Sequence, residues 1–307
     1  MKILVTGAAG LIGRECVSQL LAAGHSVRAL DLRASALAAS KQLELFEGDL
    51  LDRPTRLKAI DGVEGIVHLA AVSRVADAEA DPAQAVRTNV VGTANLLEDS
   101  QELPESPWFI HASSREVYGE PKAIPVAEDA PLHPINIYGT TKAQCEPLVR
   151  YFANRSASPC VLLRFSNVYG SAFDHPKRAV PTFVTAALAQ KPFEVHDGRK
   201  ILDFTHVEDA GRAVMRAVGW ASARRGTGEH LTVNVCTGAG TTLAELARAI
   251  LDASGSITPF VETRARDFDV NRFVGEGRLA SRALDFTARV ALQDGLKRTV
   301  EAFRAAA

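Results

Sequence analysis

Residues 2–13 read KILVTGAAGLIG. An apolar, β-branched run gives way to three glycines, Gly7, Gly10 and Gly13, and the helix-like segment GRECVSQLLAAG follows at once. A short strand, a tight glycine turn and a helix in direct succession predict the opening of a β–α unit. The pattern repeats. SVRALD, EGIVHLAA, WFIHAS and CVLLRFSN read as strands, and longer helix-like stretches such as TNVVGTANLLEDS lie between them. Strands that are apolar throughout, rather than alternating, are buried on both faces, which is the mark of a parallel sheet covered by helices. The fold class expected is therefore α/β, a doubly wound parallel sheet of the Rossmann type.

The glycine spacing is G-x-x-G-x-x-G, which differs from G-x-G-x-x-G, but its mechanics are the same. Glycines permit a tight turn and close backbone approach, and the helix N-terminus after them suits a pyrophosphate. Gly7, Gly10, Leu11, Ile12 and Gly13 are thus candidate cofactor-binding residues. The second strand ends at Asp31, 18 residues after Gly13. A carboxylate there accepts hydrogen bonds from adenosine ribose hydroxyls and repels a 2′-phosphate, which favours NAD over NADP; Arg33 nearby argues the other way. Asp49, with Leu50 in EGDLLD, is placed either at the adenine edge or at a helix N-cap.

After about residue 168 the rhythm changes. SAFDHPKRAVP reads as a loop, TFVTAALAQ as a helix stopped by Lys191-Pro192, LTVNVCTG as a strand, and TTLAELARAILDASG as a helix capped by Thr241 or Thr242. The expected division is a cofactor domain over 1–168 and a smaller mixed α/β substrate domain over 169–307, with parts of about 201–240 returning to the first.

The 307 residues carry 35 Lys and Arg against 36 Asp and Glu, a net charge of −1. No basic field holds nucleic acid and no polybasic patch meets a membrane. No apolar run reaches the roughly 18 residues of a membrane span. Cys16, Cys145, Cys160 and Cys236 show neither C-x-x-C nor metal-ligand spacing, so no metal is expected and a cytoplasmic, reducing setting is.

Tyr138 and Lys142 stand four residues apart in YGTTK, on one face of a helix. An ammonium beside a phenol favours phenolate, and a phenol so tuned moves protons near neutral pH. His68 on its apolar strand reads as a core histidine. The segment HASSREVYGEP, residues 111–121, puts two serines, an arginine, a glutamate and a tyrosine directly after an apolar strand. In open α/β sheets that is where ligands bind.

Together TGAAGLIG, GDLLD, HLAA, NVVGTANLLE, SSREVYGEP, YGTTK, LLRFSNVYG, DFTHVEDA and NVCTGAGTTLAELA resemble the extended short-chain dehydrogenase/reductases, in particular their NAD-dependent nucleotide-sugar epimerase/dehydratase branch. The resemblance spans essentially the whole chain. It implies catalysis by Ser114, Tyr138 and Lys142, with Lys142 lowering the phenol pKa and holding the nicotinamide ribose. It places the backbone of Leu69, Ala70 and Ala71, together with Asn89, along NAD. It implies sugar and diphosphate contacts from Ser114, Glu116, Asn167 and Arg266, and a homodimer through segments 89–99 and 138–152. The activity implied is 4-epimerisation of a nucleotide sugar by transient oxidation at C4. A dehydratase, decarboxylase or 4-ketoreductase is the alternative, and a non-catalytic NAD or nucleotide-sugar binder is the alternative of another class. Two positions depart from the family pattern. Arg115 stands where dehydratases carry an acid, and either points to solvent or faces a carboxylate or phosphate. Leu202 stands where a second diphosphate arginine is usual, with Arg199 or Lys200 as substitutes.

Overall fold

The computed structural model describes residues 1–306. In chain order the first part runs β1 (Lys2–Thr6), α1 (Leu11–Ala22), β2 (Ser26–Asp31), β3 (Leu43–Glu47), α2 (Arg53–Ile60), β4 (Gly65–His68), α3 (Val75–Ala80), α4 (Pro82–Ala85), α5 (Gly92–Gln101), β5 (Trp108–Ser114), α6 (Ile137–Ser156) and β6 (Cys160–Phe165). The remainder runs β7 (Asn167–Tyr169), α7 (Ala179–Leu188), β8 (Phe193–His196), β9 (Ile201–His206), α8 (Val207–Ser222), β10 (His230–Val235), β11 (Gly240–Thr242), α9 (Leu243–Ser254), β12 (Phe260–Thr263), α10 (Arg278–Leu284) and α11 (Leu292–Ala306).

Seven parallel strands form the main sheet in the order β10-β6-β5-β4-β1-β2-β3. Successive side chains of a strand point to opposite faces, and here both faces are covered. Ile3 and Val5 of β1 pack with Val17 and Leu20 of α1 and Val214 and Val218 of α8. Leu4, between them, packs on the other face with Leu96 of α5 and Val149 and Phe152 of α6. This is why the strands read as unbroken apolar runs. The strand order reverses between β1 and β4, so a crevice opens at their carboxyl ends.

The TNVVGTANLLEDS segment departs from the single regular helix expected. A π-helical stretch, Val86–Val91, joins α4 to α5. Such one-turn insertions gather at functional sites, and this one carries Asn89.

The second layer of structure is built on two small sheets, β11-β9-β7 and β12-β8, packed under α7, α9 and α11. Of the 201–240 region, β10 lies at the edge of the main sheet and α8 packs against it, whereas β9 and β11 belong to a small sheet. Thr242 is the cap of α9, in a reciprocal capping box with Glu245. The acids of DFTHVEDA also have structural partners. Asp203 accepts from the amides of Thr237 and Gly238, and Asp209 from those of Arg289 and Val290. Among the described residues no helix is long and apolar enough to cross a membrane, and no cluster of His, Cys, Asp and Glu has the makings of a metal site.

Candidate active site

A cleft of about 1060 Å³ lies over the carboxyl ends of the main-sheet strands, between them and the smaller sheets. Its floor is the glycine turn. Gly7 has φ +68°, and a Cβ there would sit 2.7 Å from the backbone nitrogen of Ala70. Only glycine permits that conformation and that approach without strain. A Cβ on Gly13 would lie 2.2 Å from the Gly7 carbonyl oxygen, so the first turn of α1 rests directly on the loop. Gly10 is the N-cap of α1 and offers no side-chain acceptor to its amides. The positive end of the helix is thereby left for an anion.

Asp31 closes this end. Its two oxygens accept from the amides of Ala9 (3.0 Å) and Arg33 (2.9 Å), which ties the end of β2 to the glycine loop. Asp49, with an oxygen on the Leu51 amide (2.9 Å), also borders the cleft, as do Leu50, Leu69, Ala70 and Ala71. Asn89 does not border it. Its amide oxygen accepts from Val72 N (2.8 Å) and its nitrogen donates to Val72 O (3.1 Å) and Thr141 Oγ1 (2.9 Å). It therefore braces the loop after β4 against α6, behind the wall. The bare residue type carried no sign of this; the π-helical turn that sets it there has no sequence signature.

The opposite wall is α6 clasping the end of β5. Asn136 caps the helix through the Gly139 amide (2.7 Å). Tyr138, Lys142 and Glu146 then follow at successive four-residue steps along one stripe. Tyr138 and Ser114 both line the cleft, and the Ser114 hydroxyl is near enough to favour the phenolate. Lys142 Nζ donates to the Ala112 carbonyl oxygen (2.8 Å). Glu146 accepts from Ser113 Oγ (2.7 Å) and is paired with buried Arg164 (2.7 Å). Two consecutive residues of β5, Ala112 and Ser113, are thus held by consecutive turns of α6, and this sets Tyr138 on the same side of the cleft as Ser114.

Burial pushes the Tyr138 phenol up, while Arg178, the Ser114 hydroxyl and Arg115 pull it back down. The Lys142 nitrogen lies 6.0 Å from the centre of the tyrosine ring. Burial brings the Lys142 ammonium itself down to about 8. His68 is a core histidine, hydrogen-bonded to Thr6 (2.7 Å) and Thr93 (2.9 Å), and burial lowers it to about 3.

On the far side, Asn167 of β7 enters the cleft with its amide on the Asp203 carbonyl (3.1 Å). Arg266 borders the cleft in a two-pronged pair with Asp269, 2.9 Å for each prong. Lys200, only 4% exposed, donates to the same Asp269 (2.7 Å) and borders the cleft. Arg199 is 91% exposed and turned toward Asp197. Of the two cations weighed against Leu202, only Lys200 borders the cleft.

Arg115 does not point to solvent. It is 8% exposed, and its Nη2 pairs with Glu116 Oε1 (2.7 Å). The other Glu116 oxygen accepts from Asn136 Nδ2 (2.8 Å). Among the described residues, buried Arg115 Nη1 has no hydrogen-bond partner. Arg178, just before α7, was not singled out from sequence. It holds Asp174 (3.3 Å) and Ser73 Oγ (3.0 Å) across the mouth of the cleft. It sits in an irregular segment with no periodicity, so only the fold brings it to Tyr138.

The sequence profile of the NAD dependent epimerase/dehydratase family matches residues 3–236. A UDP-glucose 4-epimerase of Mycolicibacterium smegmatis is 35% identical, with 99% of each chain covered. Two solved structures superpose with a TM-score of 0.92 at 30% identity: MoeE5 in complex with UDP-glucuronic acid and NAD, covering 100% of both chains, and UDP-glucose 4-epimerase from Thermotoga maritima with UDP-glucose, covering 100% of this chain and 99% of that one. Motifs, topology and relatives agree, and the chain belongs to the NAD dependent epimerase/dehydratase family.

Proposed function

We propose that this enzyme inverts C4 of a nucleotide sugar, with NAD as resident cofactor. The observation that carries the reading is the placement of Ser114, Tyr138 and Lys142 in the same cleft as the glycine turn, at the carboxyl end of β5. The residues fit the dinucleotide: the uncapped N-terminus of α1 suits the pyrophosphate, and Asp31 suits the adenosine ribose. In the cleft NAD supplies a reversible hydride acceptor.

The chain's own residues do the rest. Ser114 and Tyr138 together hold the C4 hydroxyl. Tyr138 takes its proton as C4 is oxidised and returns it to the 4-keto oxygen once the sugar has turned over. Lys142, partly deprotonated near pH 8, is placed to donate to the nicotinamide ribose while it holds Ala112. Lys200, Arg266 and Asn167 supply cations and an amide for the diphosphate. Glu116, which a dehydratase of this family would need free, has both oxygens engaged by Arg115 and Asn136, which favours epimerisation over elimination. The four cysteines are buried free thiols, in keeping with a reducing cytoplasm, and a homodimer through α5 and α6 is part of the proposal.

The test is incubation of the purified protein, with no cofactor added, with UDP-, dTDP- and GDP-hexoses and hexuronates, followed by proton NMR. Appearance of C4 epimers supports the reading. A 4-keto-6-deoxy sugar, a pentose formed with release of CO₂, or activity only with added NADH or NADPH would replace it.

A further inference from the structure

Asn136 makes more hydrogen bonds than a helix cap requires. It is 5% exposed and stands two residues before Tyr138. Its Oδ1 accepts from the Gly139 amide (2.7 Å), which is the cap itself. A serine, threonine or aspartate would cap the helix as well. The side-chain nitrogen is what sets asparagine apart, and it donates twice. One acceptor is Glu116 Oε2 (2.8 Å), two residues past Ser114. The other is the carbonyl oxygen of Phe268 (3.1 Å). A side-chain amide has two N–H donors, so both are spent, and the carboxylate and carbonyl partners fix which end of the amide is nitrogen.

Phe268 lies in the segment that carries the cations of the far wall. Arg266 and Lys200 both hold Asp269, and the Arg266 guanidinium lies over the Phe268 ring, 5.2 Å from its centre. Asn136 does not border the cleft. From behind the wall it ties three parts of the site together: the first turn of α6 with Tyr138, the turn that follows Ser114, and the loop with Arg266 and Asp269. We infer that Asn136 is a positioning residue that couples the diphosphate subsite to Tyr138. An anion held by Arg266 and Lys200 steadies the Phe268 carbonyl, and through Asn136 it steadies the start of α6. Binding energy from the part of the substrate that does not react is thereby used to place the group that does. The inference rests on the function proposed above, in that Arg266 and Lys200 meet a diphosphate.

The experiment uses Asn136→Ser and Asn136→Asp, each of which keeps an acceptor for the helix cap and loses both donors. The first readout is amide hydrogen exchange in the full-length protein, with and without UDP. In the wild type UDP should slow exchange about tenfold in the first turns of α6 as well as in the loop around Phe268; in both variants it should slow the loop alone. The second readout is kinetics on whichever UDP-hexose or UDP-hexuronate is turned over. Both variants should lose about 10- to 100-fold in kcat, the scale of a misplaced catalytic group, with KM changed by less than about threefold. Protection of α6 that is equal in wild type and variants, or absent from the wild type, overturns the inference. So does an unchanged kcat, which is the behaviour of a plain helix cap. If no sugar is turned over, the epimerase reading falls, and the exchange result alone decides the role of Asn136.

Discussion

Lys142 is held in a place where its charge is costly, and this can be measured. Burial lowers its ammonium from 10.5 to about 8. At roughly 1.4 kcal/mol per pK unit, the protonated lysine destabilises the NAD-free fold by about 3 kcal/mol. Replacing it with methionine, of similar length, removes that penalty but leaves the Ala112 carbonyl without its 2.8 Å donor, which costs about 1 kcal/mol. Lys142→Met should therefore be more stable than wild type by about 2 kcal/mol at pH 7 while losing most of its activity. The pH dependence gives the sign. Below pH 8 both folded and unfolded lysines are protonated and the full penalty applies. Between about 8 and 10.4 the unfolded chain still binds the proton that the folded one has released, so wild-type stability rises with pH. Above that range the penalty is gone. Urea unfolding of the NAD-free proteins, followed by the fluorescence of buried Trp108 in β5, should show the variant's advantage at pH 7 shrinking toward pH 10. A variant less stable at pH 7, or an advantage that does not change between pH 8 and 10, would refute the reasoning.

Other outcomes follow from the same geometry. Tyr138→Phe should lower kcat by about 10²- to 10⁴-fold with NAD still bound, read by NMR turnover and by the cofactor content of the purified protein. Arg178→Gln removes the largest influence holding the phenol down against burial, so the rising limb of the kcat–pH profile should move to higher pH; a shift to lower pH would contradict this. Glu146→Leu strands buried Arg164 and frees Ser113, and should cost about 3–5 kcal/mol in urea unfolding. Asp31→Ala should narrow the preference for NAD over NADP in cofactor titrations, since the carboxylate that repels a 2′-phosphate is gone.

Much of this molecule can be read from its residues because the informative parts are local. The glycine turn, the unbroken apolar strands and the four-residue step from Tyr138 to Lys142 each impose their geometry within a few residues. Of the cofactor and substrate positions singled out in advance, Asn89 and the alternative cation Arg199 do not border the cleft, and the others do. What was hidden depends on burial and on distant partners. The phenol's raised pKa follows from packing around Tyr138, which no spacing encodes. Arg178 reaches the site from an irregular loop. Lys200, rather than Arg199, borders the cleft, its ammonium held by Asp269 from a distant segment while Arg199 stays exposed beside Asp197. Arg115 is buried because Glu116 and Asn136 secure it, a pairing that only the turn after β5 brings about.

The most direct measurement is proton NMR of UDP-glucuronate and UDP-glucose incubated in D₂O with the purified protein and no added cofactor. The C4 epimer should appear with protium still at C4, because the hydrogen leaves and returns as a hydride that never exchanges with solvent. Deuterium at C4, or no epimer from either sugar, would contradict catalysis by transient C4 oxidation in this cleft.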